Sequence, residues 1–231
     1  MKIGTLNLGH QVRRPRHVPV GLLDALTTLE LDVLVLTEFV STPAYAAALL
    51  RRWPHVIASE QVQYGSSRAR FANQVAVASR WPMVAREGVS ATPDVHAQTN
   101  FLSVSFHGVV VTGVRAPAYK RASDWYGYWN MLRERLDGDV VIGDLNVDPT
   151  RSRKRDRVLP EEWQLVTPPG VSYRSPKNGT ESTIDHALVA PGIEVQGAEF
   201  RPEFFARWGV DHCPLVINVT TSSPTEAGWE S

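Results

Sequence analysis

Residues 140–146, Val-Val-Ile-Gly-Asp-Leu-Asn, set an aspartate and an asparagine two positions apart at the end of an apolar run. Side chains alternate along an extended strand, so Asp144 and Asn146 are expected on one side of the strand end and Leu145 on the other. A carboxylate beside an amide in that position is suited to holding a water, a metal ion or a phosphate oxygen. Four further runs carry polar residues that core packing does not require: Asn7 in Thr-Leu-Asn-Leu-Gly, Glu38 after Val-Leu-Val-Leu-Thr, Asp185 in Ser-Thr-Ile-Asp-His-Ala-Leu-Val, and Asp211-His212 before Cys-Pro-Leu-Val. Each alone has an ordinary reading. Asn7 caps a turn, Glu38 is solvated, Asp144 starts a turn by bonding its own backbone, and Asp211-His212 lies in a loop. Asp185 interrupts an apolar run and must be paired or near the surface, because an unpaired buried carboxylate is costly.

Taken together, the five make sense as phosphate-ester chemistry. Mg²⁺ prefers oxygen ligands and keeps several waters, so one or two carboxylates suffice, and it offsets charge that builds on phosphate. A carboxylate orients water for in-line attack. A histidine paired with a carboxylate favours its cationic form, which suits contact with a phosphate oxygen. The sequence has no Cys/His cluster of zinc spacing and no Gly-rich phosphate loop ending in Lys-Ser/Thr.

The elements that must position these residues follow from hydrophobic periodicity. Strands are expected at Lys2–Leu8, Asp32–Thr37, His55–Ser59, Gln74–Ser79, Phe101–Phe106, Val109–Val114, Asp139–Ile142, Thr183–Val189, Glu194–Phe200 and Leu215–Thr220. Residues 33–36 and 139–142 read as central strands covered on both faces, and His107-Gly108 as a two-residue hairpin turn. Helices are expected at Val20–Leu31, Pro43–Trp53 and Ser123–Leu136, the last with Trp125, Trp129 and Leu132 on one face, and helices are expected to return late in the chain. The pattern implies two packed sheets with helices outside. One domain is expected over 1–220, followed by a flexible tail over 221–231.

Composition is that of a soluble globular protein, 43% hydrophobic and 21% charged, with 24 basic and 24 acidic residues and no net charge. The single cysteine, Cys213, excludes an internal disulfide and fits a reducing compartment. With no signal-like leader and no run long enough to span a membrane, a cytoplasmic location is expected.

The order Leu-Asn, Thr-Glu, Gly-Asp-Leu-Asn, Ile-Asp-His and Asp-His-Cys-Pro-Leu resembles the endonuclease/exonuclease/phosphatase superfamily. That group includes pancreatic-type deoxyribonucleases, apurinic endonucleases, inositol polyphosphate phosphatases and sphingomyelinases. The resemblance runs from residue 3 to about 219, with a weaker match at Asn73–Arg80. It implies a four-layered α/β sandwich, two packed mixed β-sheets flanked by helices. It also implies phosphodiester hydrolysis with a divalent metal, magnesium or alternatively manganese. On matching positions Glu38 is the principal metal ligand with Asn7 beside it, and Asp211 completes the metal side or a second metal position. His212, oriented by Asp185, bonds the scissile phosphate. Asp144 positions or deprotonates the attacking water, and Asn146 holds a phosphate oxygen. Asn73 belongs to the substrate side.

Two positions depart from the family pattern. Gly9 stands where some members carry a second acidic residue, which leaves one metal or two as alternatives. Arg115, in Gly-Val-Arg-Ala-Pro, stands where many members have histidine or tyrosine. A guanidinium can fork two phosphate oxygens there, or Arg115 is an ordinary surface residue; Tyr119 is the weaker alternative.

Basic residues bunch in loops after the candidate catalytic strands: Arg13, Arg14, Arg16 and His17; Arg68 and Arg70; Lys120 and Arg121; and Arg151, Arg153, Lys154, Arg155 and Arg157. Such a rim attracts a polyanion, so nucleic acid is the expected substrate, DNA ahead of RNA. The alternatives are a small phosphoester or phosphoinositide, and an inactive binding scaffold of the same fold. Among Trp53, Trp81, Trp125, Trp129 and Trp208, which more often serve packing, Trp208 is the best placed to stack on a base.

Overall fold

Two runs without a polar break, Val33–Leu36 and Val140–Ile142, lie in the middle of two different sheets. The computed structural model describes residues 1–9, 20–59, 74–86, 100–116, 122–133, 138–147 and 162–221. The first sheet has the order β13 (Ile193–Phe200), β14 (Leu215–Thr221), β1 (Lys2–Asn7), β2 (Val33–Phe39), β4 (Gln74–Ser79) and β3 (His55–Ala58). The second has the order β5 (Val84–Ala85), β6 (Phe101–Phe106), β7 (Val109–Arg115), β8 (Val140–Asp144), β12 (Asp185–Val189) and β9 (Gln164–Val166). A two-stranded ribbon, β10 (Tyr173–Arg174) and β11 (Glu181–Ser182), stands apart.

Each large sheet is mixed. Its one parallel pair, β1 with β2 and β7 with β8, sits near its centre, and parallel neighbours need a crossover connection. Helix α1 (Val20–Thr27) lies in the first crossover and α3 (Ala122–Arg133) in the second, with α2 (Pro43–Leu50) following β2. Leu22, Leu23 and Leu26 of α1 are buried against the first sheet. Tyr128, Trp129 and Leu132 of α3 pack on Phe101, Val114, Val141 and Leu188, the outer face of the second. The sheets meet closely: a Cβ on Gly113 would lie 2.6 Å from Val75 Cγ1 and 2.7 Å from Val35 Cγ1. The four-layered sandwich expected from the sequence is the fold observed.

Local expectations hold with shifts at the ends. The β6–β7 turn at His107-Gly108 has positive φ at both residues, 47° and 74°, as a primed hairpin turn requires. Helix α1 stops four residues short of Leu31. The hydroxyls of Thr27 and Thr28 donate back to the carbonyls of Asp24 and Ala25, and Glu30 turns left-handed at φ 54°. Strand β12 begins at Asp185 rather than Thr183. Among the described residues the only late helix is the short α4 (Glu203–Trp208), closed by left-handed Gly209. Strand β14 runs through Thr221, the first residue of the expected tail; the rest of that tail lies outside the described residues. No helix among the described residues is long and apolar enough to cross a membrane.

Candidate active site

Register aligns the site. Arg115 on β7 stands opposite Asp144 on β8, and Asp144 opposite Asp185 on β12. Residues paired across neighbouring strands share a face, and here it is the face turned toward the first sheet. Each of the three then pairs with a side chain of the first sheet or of the segment entering it, Glu38 on β2, Asn7 on β1 and His212 three residues before β14. Arg115 Nη2 lies 2.8 Å from Glu38 Oε1, Asn7 Nδ2 donates to Asp144 Oδ2 at 2.9 Å, and His212 Nδ1 is 2.9 Å from Asp185 Oδ2. Three polar pairs therefore stand side by side at one mouth of the sandwich, two of them between the sheets and the third between β12 and the segment entering β14.

Asp144 is held from several directions. Its Oδ1 accepts the Asn146 N–H at 2.9 Å, and its Oδ2 accepts Asn146 Nδ2 at 3.2 Å besides the Asn7 amide. Asn146 has φ 49°, so the strand has already ended there. The two side chains meet through this turn and not through strand alternation, which corrects the expectation from spacing. Asn146 Nδ2 also donates to Ala116 O at 2.5 Å. Its amide thus frames Asp144 in this arrangement.

Gly143 makes room: a Cβ there would fall 1.9 Å from Val114 O, at φ 150°. The glycine of Gly-Asp-Leu-Asn is set by this approach of β8 to β7. Burial pushes the Asp144 carboxyl up to about 6, Asp185 adds to the rise, and His212, Arg115 and the Asn146 N–H pull it back. It is a carboxylate at neutral pH, more basic than usual, as a general base should be.

Burial pulls the His212 imidazole down, but the charge of Asp185 and its hydrogen bond, then Asp144 and Asp211, lift it to about 9. His212 is therefore an imidazolium at neutral pH; it donates Nδ1–H to Asp185 and keeps Nε2–H for another acceptor. The Tyr173 ring lies 4.9 Å from the His212 ring, tilted by 54°, and the two backbones form a bridge. Ser172 braces the pair. Its Oγ accepts the N–H of Ile184 at 2.9 Å and of Asp185 at 3.0 Å, and its carbonyl accepts the Cys213 N–H at 2.9 Å.

Glu38 sits at φ 49°, a left-handed conformation that a non-glycine residue holds at a cost. A divalent cation fits this side of the site on three observations. The Glu38 carboxylate already holds a cation, the Arg115 guanidinium. Thr37, in register with Asn7, is fully buried, and its Oγ1 has no partner among the described residues. The donors are oxygens, and among the described residues no three His, Cys, Asp or Glu side chains are grouped so as to hold an ion by themselves. Such a donor set suits a hard ion that keeps much of its water shell. At Gly9, which has φ 62°, a Cβ would lie 2.8 Å from Asp211 Oδ1. The Asp211 carboxylate thus fills the space where a side chain at position 9 would begin.

The other residues named from sequence fall in different places. Asn73, Tyr119 and the arginines and lysines of the basic loops lie outside the described residues. Trp208 belongs to none of the three pairs: its ring covers Gly21 of α1 and carries the Arg207 guanidinium at 5.3 Å. Trp53 and Trp129 are core residues, and Trp81 stacks on Phe106. Burial, with Asp185 adding to it, pushes the Cys213 thiol up to about 12, so Cys213 packs and does not attack. Sequence reasoning assigned nothing to Tyr173, Ser172 or His186. His186 was the one with a signal, because strand alternation turns it away from Asp185. On that outer face its Nε2–H donates to Val147 O at 2.8 Å and its Nδ1 shares a hydrogen bond with Thr167 Oγ1 at 2.8 Å.

Several solved structures share the fold. The 3′-5′ exonuclease from Neisseria meningitidis superposes with a TM-score of 0.69 at 22% identity, over 94% of this chain and 99% of that one. A 3′ phosphatase from Neisseria bound to a product DNA hairpin gives 0.69 at 21%, over 95% and 99%. An AP endonuclease from Archaeoglobus fulgidus gives 0.71 at 19%, over 96% and 100%. No curated protein sequence matches. The sequence model of the endonuclease/exonuclease/phosphatase family matches residues 4–212, nearly the whole sandwich and all three polar pairs, and the chain belongs to that family.

Proposed function

We propose that this chain is a metal-dependent phosphodiesterase acting on nucleic acid, DNA in the first instance. The observation that supports the reading is the set of three polar pairs, Asn7–Asp144, Asp185–His212 and Glu38–Arg115, side by side at one mouth. Asp144 takes a proton from water and orients it for in-line attack. His212 donates Nε2–H to a phosphate oxygen, and Asp185 keeps the imidazole charged and aimed. Asn7 and Asn146 hold the Asp144 carboxylate in one rotamer. Glu38, with Asn7 on the neighbouring strand, would hold a divalent ion, magnesium by donor type, and Asp211, beside Gly9, would complete the metal side or a second metal position; that ion would supply charge stabilisation to the phosphate. The DNA reading is supported by the product DNA hairpin of the Neisseria relative and the AP endonuclease activity named for the Archaeoglobus one.

The test is hydrolysis of duplex, single-stranded and abasic DNA, of RNA and of a small phosphomonoester, in magnesium and after chelation. Chelator-sensitive cleavage of a nucleic acid is expected. Turnover of the phosphomonoester alone would move the substrate to the small phosphoesters. No metal-dependent turnover on any substrate would overturn the reading.

A further inference from the structure

Arg115 is only half satisfied. Its Nη2 pairs with Glu38, with the two side chains 22% and 11% exposed. Its Nε is buried and has no partner among the described residues. A guanidinium carries donors in a rigid fork that matches two oxygens at once, and a buried N–H left unmade is unfavourable. The pair therefore balances charge without using the fork. Arg115 also stands in register beside Asp144, so the guanidinium lies between the carboxylate proposed for the metal and the one proposed for the water.

We infer that Arg115 is a resident counter-cation of the metal site, which neutralises Glu38 in the empty enzyme and is displaced toward the substrate phosphate when a divalent ion binds there. The inference rests on the proposed role of Glu38 as the metal ligand. A dication and a guanidinium on one carboxylate repel each other, and strongly at a partly buried site. Released from Glu38, the Nε–H and Nη–H groups can grip two phosphate oxygens, which also satisfies the orphaned Nε. The ion takes the glutamate half of the pair and the phosphate takes the arginine half. Each ligand then removes the obstacle to the other, so metal and oxyanion bind with positive and reciprocal coupling. This gives a specific role to the residue that departs from the histidine or tyrosine of many relatives.

The test is Mn²⁺ binding without turnover, followed by electron paramagnetic resonance and calorimetry, with sulfate as the oxyanion probe. Arg115→Gln should bind Mn²⁺ at least tenfold more tightly than the wild type when no oxyanion is present. Sulfate should tighten Mn²⁺ binding several-fold in the wild type and leave it unchanged in Arg115→Gln. Equal Mn²⁺ affinity in the two proteins, or equal tightening by sulfate, would overturn the inference while leaving Glu38 a metal ligand. Failure of both proteins to bind Mn²⁺ would overturn the metal reading itself, and the inference with it. If circular dichroism shows Arg115→Gln unfolded, ¹⁵N-arginine-labelled wild type decides. The Arg115 Nε–H resonance should shift on adding Mg²⁺, and an unmoved resonance overturns the inference.

Discussion

Asn7 and Asp144 are 137 residues apart in sequence, and the amide of one donates to the carboxylate of the other at 2.9 Å across the gap between the sheets. The Asn7 Oδ1 in turn accepts the Gly9 N–H at 2.8 Å, which fixes the amide's orientation. Asn7 thus presents a donor to Asp144 and cannot easily turn away. Asn7→Ala removes that donor from a buried carboxylate, so the Asp144 carboxyl should rise further above about 6. The acid limb of the pH–rate profile should move to higher pH, with the fold retained. Asp144→Asn should lower kcat by about 10²–10⁴, the range for removing a positioned base. Circular dichroism alongside single-turnover kinetics checks both; near-normal rates in Asp144→Asn would remove it from the mechanism.

The Asp185–His212 pair sets a second pH dependence. The reaction as proposed needs Asp144 ionised, above about 6, and His212 protonated, below about 9, so the rate profile should be bell-shaped between those limits. Stability carries the same signature. The folded-state pKa of His212 lies above its ordinary value, so its contribution is fully present below about 6.5 and is lost as pH rises through about 9. Asp144, also raised when folded, contributes below its ordinary 3.8, and that contribution is lost as pH rises through about 6. In Asp185→Asn the imidazole loses its anionic partner. The alkaline limb should move toward neutral pH, and the stability loss between about 6.5 and 9 should flatten. Denaturant titrations across pH, read beside NMR of the His212 ring, measure both.

Gly143 lets β8 approach β7 closely enough to place Asp144. Gly143→Ala would drive a methyl group into Val114 O, 1.9 Å from where the Cβ must go. Backbone has to move, and the expected destabilisation exceeds ~3 kcal/mol, the range of severe single substitutions. Thermal unfolding of the purified variant measures it, and a variant within ~1 kcal/mol of wild type would show that the strands can part at little cost.

The sandwich was legible because its strongest strands are long and continuously apolar, as at Val33–Leu36 and Val140–Ile142. The short strands were not: Val84–Ala85, Tyr173–Arg174 and Glu181–Ser182 are too brief to show alternation. Asp144, Asp185, Asn7, Glu38 and His212 were legible as polar residues at apolar strand ends. Their pairing was not, because it depends on register between strands far apart in sequence, as with Arg115 opposite Asp144. Arg115 against Glu38 is the clearest case: the sequence showed an unusual arginine, and only the fold shows which carboxylate it meets. Asp144 with Asn146 shows the reverse. The sequence brought them together by strand alternation, whereas the chain does so with a turn.

Cys213 follows the reactive-looking His212 yet is buried, and its Sγ–H points to Val171 O at 3.2 Å. The thiolate is the reactive form, and a thiol pushed up to about 12 supplies almost none at neutral pH. A disulfide-exchange reagent should therefore label Cys213 only at the rate of unfolding, and fully in denaturant. Cys213→Ala should keep wild-type kcat. Rapid labelling of the native protein would show that the strand entrance opens.

His186 carries the last prediction. It lies one residue from Asp185 but on the opposite face of β12, and its two ring nitrogens join Val147, just past Asn146, to Thr167 at the end of β9. A carbonyl only accepts, so Nε2 bears the proton, and the ring clamps the two segments together through Nε2 and Nδ1. His186→Phe keeps an aromatic ring but leaves the Val147 carbonyl and the Thr167 hydroxyl without those bonds, at about 1–3 kcal/mol for buried groups. The loop carrying Asn146 would then be less firmly set, and Asn146 frames the Asp144 carboxylate. The expected outcome is a fall in kcat with little change in KM and an unshifted alkaline limb, since His212 is untouched. A loss in KM alone, or a displaced alkaline limb, would place His186 on the substrate or with His212 instead.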